Sequence, residues 1–193
     1  MELLFASHNQ NKIIEIQQML PEKIKLKGLS DLGWETPIPE TGETLTENAW
    51  IKADFLYQKT KMDCFADDTG LLVEALNGAP GVYSARYAGP EKNAQKNMQK
   101  LLDALQEHSN RKAKFVTAIA CYWQGEKHLF TGEVKGEIML QKSGDQGFGY
   151  DPIFQPEGYS ISFAQMDAKE KNRISHRGIA FQAFLQFINN RLS

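Results

Sequence analysis

The chain has 193 residues, 22 basic and 24 acidic side chains and a formal charge of −2, enough for one domain with a sizeable core. So balanced a charge excludes the global field that holds a nucleic-acid backbone; no nucleic-acid partner is expected, and any anionic ligand must be met locally. No apolar stretch approaches the ~20 residues that cross a bilayer, and the apolar start Met1–Phe5 is too short for a leader, so no membrane association is expected. Cys64 and Cys121 lie far apart inside apolar runs, which reads as two reduced, buried thiols in a cytoplasmic protein. A single domain over residues 1–193 is expected.

Residues Glu2 to Ala6 suit a buried first strand, and Ile13, Ile14, Ile16, Gln17 and Leu20 then recur at helical spacing as far as Pro21. The polar link Ser7-His8-Asn9-Gln10-Asn11-Lys12 is a strand-to-helix loop in which backbone amides, a positive helix end and an ammonium can cradle phosphate. It lacks the glycines of a Walker A loop, and the alternative is that Ser7 or Asn11 only caps the helix. A second strand is expected over 24–29, followed by a proline-bearing loop that leaves Glu40 on a mobile or exposed segment. Thr44-Leu45-Thr46-Glu47 has the form of a capping box ahead of a helix through Trp50, Lys52, Phe55 and Leu56. Glu47 is by default that cap, and Lys52 by default a solvated helix lysine.

Phe65-Ala66-Asp67-Asp68-Thr69-Gly70-Leu71 breaks an apolar run with two adjacent carboxylates. It reads as a buried strand ending in an acidic turn, where Asp67 and Asp68 both reach one hard cation of the Mg²⁺ type. The competing reading is an Asp-rich turn bonding its own backbone. Turn chemistry follows at Asn77–Gly81, then Tyr83-Ser84-Ala85-Arg86-Tyr87, then a helix from about Pro90 to Glu107. Residues 115–123 and 127–130 flank Gln124-Gly125-Glu126 as a hairpin, and 132–140 continues the antiparallel sheet as scaffold or dimer surface. Gly144 to Asp151 interleaves glycines with Phe148 and Tyr150, so the backbone can approach a flat ligand while an aromatic ring offers a stacking face. Ser175 is the natural N-cap of a final amphipathic helix, which puts His176 and Arg177 on its first turn. The macrodipole disfavours cations there, so a ligand-directed role is expected for them.

Taken together, Ser7 to Lys12, Glu47-Asn48-Ala49 with Lys52, Ala66 to Leu71, Gly78 to Tyr87, Gly147 to Phe154 and Ser175-His176-Arg177 resemble, in order and spacing, the Ham1/inosine triphosphatase family. The resemblance spans nearly the whole chain, with one departure at His8 to Asn11, where close relatives often carry Gly-Asn and a further Gly. It implies an α/β fold, a mixed elongated β-sheet flanked by helices, with two lobes and a central active-site cleft. It implies Mg²⁺-dependent cleavage of ITP, dITP and XTP between the α- and β-phosphates, and usually a homodimer. Carried onto this sequence, Asp68 matches the general base and a metal carboxylate, with Glu40 and Asp67 as the other metal residues. Ser7, His8, Asn9, Gln10, Asn11 and Lys12 match positions that hold the substrate's phosphates, with Lys52 beside them, and Thr69 matches a further substrate-binding position. Phe148, Gly149, Tyr150, Asp151, Lys171, His176 and Arg177 match base-binding positions.

The residue types suit that chemistry. A triphosphate carries about four negative charges, matched by Mg²⁺ with Lys12 and Lys52. The 6-oxo group of hypoxanthine or xanthine accepts hydrogen bonds, whereas adenine presents a donor there to the donors Lys171, His176 and Arg177. Two other classes compete: a regulatory module that binds Mg²⁺-nucleotide without turnover, and a phosphomonoesterase using the same metal site.

Overall fold

A computed structural model describes residues 1–192 of the chain. The strands are β1 (Glu2–Phe5), β2 (Lys25–Gly28), β3 (Cys64–Val73), β4 (Pro80–Gly81), β5 (Lys112–Trp123), β6 (Glu126–Ile138) and β7 (Phe154–Pro156). They form one sheet in the order β2-β1-β3-β5-β6-β7, with β4 paired to β3. The sheet is mixed: β1 runs parallel to β2 and β3, whereas β4 is antiparallel to β3 and β7 to β6. The helices are α1 (Gln10–Met19), α2 (Leu45–Thr60), α3 (Ala94–Ala104), α4 (Ala168–Ile174) and α5 (His176–Leu192). Among the described residues no helix is long and apolar enough to cross a membrane.

The described residues divide into two compact units, the first comprising 1–68, 117–132 and 179–192, the second Thr69–Val116 and Glu133–Gly178. In the first unit the two-residue period of the strands sorts the core onto two faces. Leu3, Phe5, Phe65, Ile119 and Cys121 gather with Ile16 of α1 and Phe181, Phe184 and Ile188 of α5. Leu4, Cys64, Ala66, Ala118 and Ala120 gather instead with Ala49, Ala53 and Leu56 of α2. Each large side chain so buried contributes about 1.5–3 kcal/mol. Cys64 and Cys121 therefore sit on opposite faces as free, buried thiols. Burial pushes the Cys64 thiol up to about 12.

The second unit has its own core, in which Met98, Leu101 and Leu105 of α3 cover Leu71, Val73, Phe115 and Ile138, with Tyr150, Ile153, Phe154 and Phe163 joining them. Its local details depart from the sequence expectations in three places. Lys92 takes φ +52°, and the Asn93 side chain accepts from Lys96 N at 3.0 Å, so α3 starts at Ala94 and not at Pro90. The segment expected as separate stretches over 127–130 and 132–140 is the single strand β6, joined to β5 by Gln124 and Gly125 at φ +50° and +84°, the left-handed pair that a tight hairpin needs. The acidic run is no turn, because β3 continues through Asp67, Asp68 and Thr69 to Val73.

Candidate functional site

That last difference decides how the carboxylates are used. Successive side chains of a strand point to opposite faces, so Asp67 follows Phe65 toward α1 and Asp68 follows Ala66 toward α2. Asp67 Oδ1 accepts from Lys12 Nζ of α1 at 2.9 Å. Asp68 Oδ1 lies 3.4 Å from Lys52 Nζ of α2, whose ammonium also donates to Glu40 Oε1 at 2.7 Å. The expected acidic turn is thus corrected to a strand, in which Glu40 and Asp68 converge on one ammonium and Asp67 holds another. Lys52 is buried at 7% exposure, not solvated, and Asp67 and Asp68 are 1% and 8% exposed.

Glu40 is no free loop residue either. Thr44 and Glu47 form the expected capping box, and Glu47 Oε2 also accepts from Glu43 N at 2.7 Å. Asn48, fully buried, accepts from Gly42 N at 2.8 Å. A Cβ on Gly42 would lie 2.7 Å from the Glu47 Cβ and 2.9 Å from Asn48 Oδ1, so only glycine lets the loop close on α2. Asn48 and Lys52 are one helical turn apart on the same face; one holds the loop backbone and the other its carboxylate. Sequence reasoning gave Asn48 and Gly42 no role, although a glycine two residues beyond an acidic residue and an Asn inside the first turn of a helix were the available signals.

In the loop from Ser7 to Lys12 the cap is Asn9, whose Oδ1 accepts from Lys12 N at 3.2 Å. Neither Ser7 nor Asn11 caps the helix; Ser7 Oγ accepts from Asn9 N at 3.1 Å. Because the helix starts at Gln10, the residues Gln10, Asn11 and Lys12 form its first turn, where amides lack intrahelical partners. Gln10 and Asn11 are exposed. His8 donates from Nε2 to the Trp34 carbonyl at 2.7 Å, which anchors the loop.

The second unit assembles the other group. Asp151 Oδ2 accepts from Lys171 Nζ at 2.8 Å and from Phe148 N at 2.7 Å, so one buried carboxylate closes its own loop and holds α4. Gly147, at φ +73°, has no room for a Cβ against that carboxylate. Lys171 and Arg177 stand 5.1 and 5.3 Å from the centre of the Phe148 ring, within cation–π range. Arg177 Nη2 donates to Thr69 Oγ1 at 3.3 Å, and both Lys171 and Arg177 are buried. Ser175 accepts from Gly178 N at 3.0 Å as the cap of α5. His176 stacks on Phe115 at 4.5 Å, within the core. Tyr150 is also core: its hydroxyl donates to the Ser84 carbonyl at 2.8 Å, whereas the Phe148 ring is only half-buried.

Among the described residues no group of three or more His, Cys, Asp or Glu side chains is gathered as a metal site. The donor chemistry of Glu40 and Asp68 nonetheless fits Mg²⁺. Both are hard oxygen donors already converging on a cation, and that ion commonly takes one or two carboxylates with water and substrate phosphate.

Burial raises the Asp68 carboxyl above the usual aspartate range, with Glu40 and Asp67 adding to the rise while Lys52 and Lys12 pull it back. For Lys52 burial acts downward, but Asp68, Glu40 and Asp67 outweigh it and hold the ammonium above its ordinary value. Its pairing therefore stabilises the fold at neutral pH and is lost as alkaline pH rises through that elevated value. A carboxyl ¹³C titration by NMR is expected to find Asp68 titrating above ordinary aspartates, and in Lys52→Met at higher pH still. A lower value in Lys52→Met would contradict the placement of that ammonium.

The Ham1 family profile matches residues 3–187. A dITP/XTP pyrophosphatase of Flavobacterium psychrophilum is 56% identical over 190 residues, covering 98% of this chain and 100% of that protein. Another, of Porphyromonas gingivalis, is 47% identical over 188 residues, 97% of each. The structure of the Staphylococcus aureus Ham1 protein is similar with a TM-score of 0.90 at 39% identity, covering 99% of this chain and 100% of that one. A HAM1 protein from Coxiella burnetii gives 0.90 at 38%, covering 98% and 99%. With a profile running through both units and relatives matched along their whole length, the chain belongs to the Ham1 family.

Proposed function

We propose that the chain hydrolyses non-standard purine nucleoside triphosphates, dITP, ITP and XTP, to the monophosphate and pyrophosphate in a Mg²⁺-dependent reaction. The names of the relatives, dITP/XTP pyrophosphatases, support the substrate class. The observation that carries the reading is the Glu40–Lys52–Asp68 group, in which the half-buried Glu40 and the buried Asp68 converge on the buried Lys52. Its Asp68 is followed directly in the chain by Thr69, the partner of Arg177.

Glu40 and Asp68 would hold Mg²⁺, which when bound supplies charge neutralisation and polarisation of the α-phosphoryl group. Lys12 and the first turn of α1 offer an ammonium and helix-end amides to the phosphates, with Asp67 keeping the Lys12 ammonium oriented. Lys52 supplies a second positive charge. Asp68, its carboxyl raised by burial, is suited to take a proton from the attacking water, because a base works best when its pKa approaches the working pH. In the second unit Lys171 and Arg177 present donors beside Phe148. A 6-oxo purine accepts from them, whereas the 6-amino group of adenine faces donor with donor, a mismatch costing about 1–3 kcal/mol per unpaired group.

Product analysis tests the reaction. ITP with Mg²⁺ is expected to give pyrophosphate and IMP; orthophosphate alone would mark a phosphomonoesterase, and no product a binding module without turnover. Arg177→Ala tests the base reading: the specificity constant for ITP should fall at least about tenfold more than that for ATP. An unchanged ITP to ATP ratio would remove Arg177 from the base pocket and leave it a structural partner of Thr69.

A further inference from the structure

The stretch Gly78 to Tyr87 is distinctive in sequence yet contributes no group to the reading above. Within the second unit its Ser84 is 7% exposed and bonded on three sides. Ser84 Oγ accepts from Leu71 N at 2.9 Å and donates to the Gly81 carbonyl at 2.6 Å. Leu71 and Gly81 are register partners of the antiparallel pair β3 and β4, so the hydroxyl is inserted into that ladder as a relay. The Ser84 carbonyl accepts the Tyr150 hydroxyl at 2.8 Å. Burial pushes the Tyr150 hydroxyl above its usual range, so it stays protonated and keeps donating.

The neighbours of Ser84 are also fixed. Asn97 of α3, 3% exposed, donates to the Ala85 carbonyl at 2.9 Å and accepts from Ala88 N at 2.7 Å. The serine is therefore a stiff strut. One end is tied to β3 at Leu71, two residues along the strand from Thr69 and so on the same face; Thr69 Oγ1 receives Arg177. The other end is tied to Tyr150, between Phe148, which faces Lys171 and Arg177, and Asp151, which holds Lys171.

We infer that Ser84 is a positioning residue for purine selection: its hydroxyl and carbonyl set the distance between the Thr69–Arg177 pair and the Phe148–Asp151 loop with its Lys171. It touches no substrate atom. Selection between 6-oxo and 6-amino purines depends on where two buried donors stand, and hydrogen-bond discrimination falls off within a few tenths of an ångström. A hydroxyl serving two backbone groups at once has no apolar replacement that keeps both satisfied. The inference rests on the proposed purine reading.

The test uses the full chain and two probes, IMP and Mg²⁺-pyrophosphate, with affinities measured by calorimetry, together with the ITP to ATP specificity ratio and the melting temperature. Ser84→Ala is expected to weaken IMP by about tenfold and to shrink the ITP to ATP ratio, while pyrophosphate affinity stays within about twofold, because the phosphate-handling residues lie in the other unit. Tyr150→Phe removes only the bond to the Ser84 carbonyl, keeps the ring, and is expected to move IMP affinity and the ratio in the same direction, which preserves the test should Ser84→Ala not fold. Equal losses for IMP and pyrophosphate would reduce Ser84 to a general structural residue and overturn the inference. So would unchanged IMP affinity and ratio in both variants, whatever the melting temperature. A wild-type chain that neither binds IMP nor distinguishes ITP from ATP would sink the purine reading itself, and this inference with it.

Discussion

A β-strand cannot turn two neighbouring side chains to the same face, and this limit organises the acidic end of the molecule. Asp67 and Asp68 are adjacent, buried and, in water, both anionic; side by side in a turn they would repel one another in a medium that screens charge poorly. Set in β3 they separate, one toward α1 and Lys12, the other toward α2 and Lys52. Each helix thus delivers a lysine to one aspartate, and each buried carboxylate gains a counter-charge. Unpaired, either charge would cost several kcal/mol of desolvation. The alternation that buries Phe65 on one face and Ala66 on the other is the same alternation that assigns the two carboxylates different work.

The second unit solves a related problem differently. Lys171 and Arg177 are 5% and 4% exposed, and a cation so placed needs partners within the fold. Asp151 holds Lys171 while its remaining capacity closes the Phe148 loop, and the Phe148 ring adds cation–π attraction to both cations. Under the proposed purine reading the donors are held in place in advance, so little ordering entropy would remain to be lost on binding. Arg177 also illustrates why its helix position is tolerated: the unfavourable macrodipole is met by Thr69 and Phe148 across the unit, not along the helix.

Much of this was legible in the sequence. The first strand, the capping box at Thr44–Glu47, the Gln124–Gly125 hairpin and the Ser175 cap follow from local chemistry that acts over three or four residues, and all are present. Of the base-binding positions that the family resemblance implied, Phe148, Asp151, Lys171 and Arg177 come together, while Tyr150 and His176 pack into the core. What failed was non-local. Asp67-Asp68-Thr69-Gly70 has turn composition, but pairing of β3 with β1 and β4 overrode that propensity. Lys52 looked like a surface lysine because nothing local shows that Glu40, twelve residues earlier, folds back to meet it. Tyr150 looked like a stacking platform because its partner, Ser84, is 66 residues distant. Aromatic and charged residues announce themselves by type; whether they face a ligand or another side chain is set by contacts that the local pattern does not contain.

The central claim is that Asp68 takes the proton from the attacking water while Lys52 and Glu40 keep it poised. Asp68→Asn tests it most directly, since the amide preserves shape but is a poor base and a weaker metal ligand. Purified Asp68→Asn should retain the fold by circular dichroism and melting temperature, yet turn over ITP at least about a hundredfold more slowly at saturating Mg²⁺. A well-folded Asp68→Asn protein that keeps more than half of the wild-type rate would contradict the account.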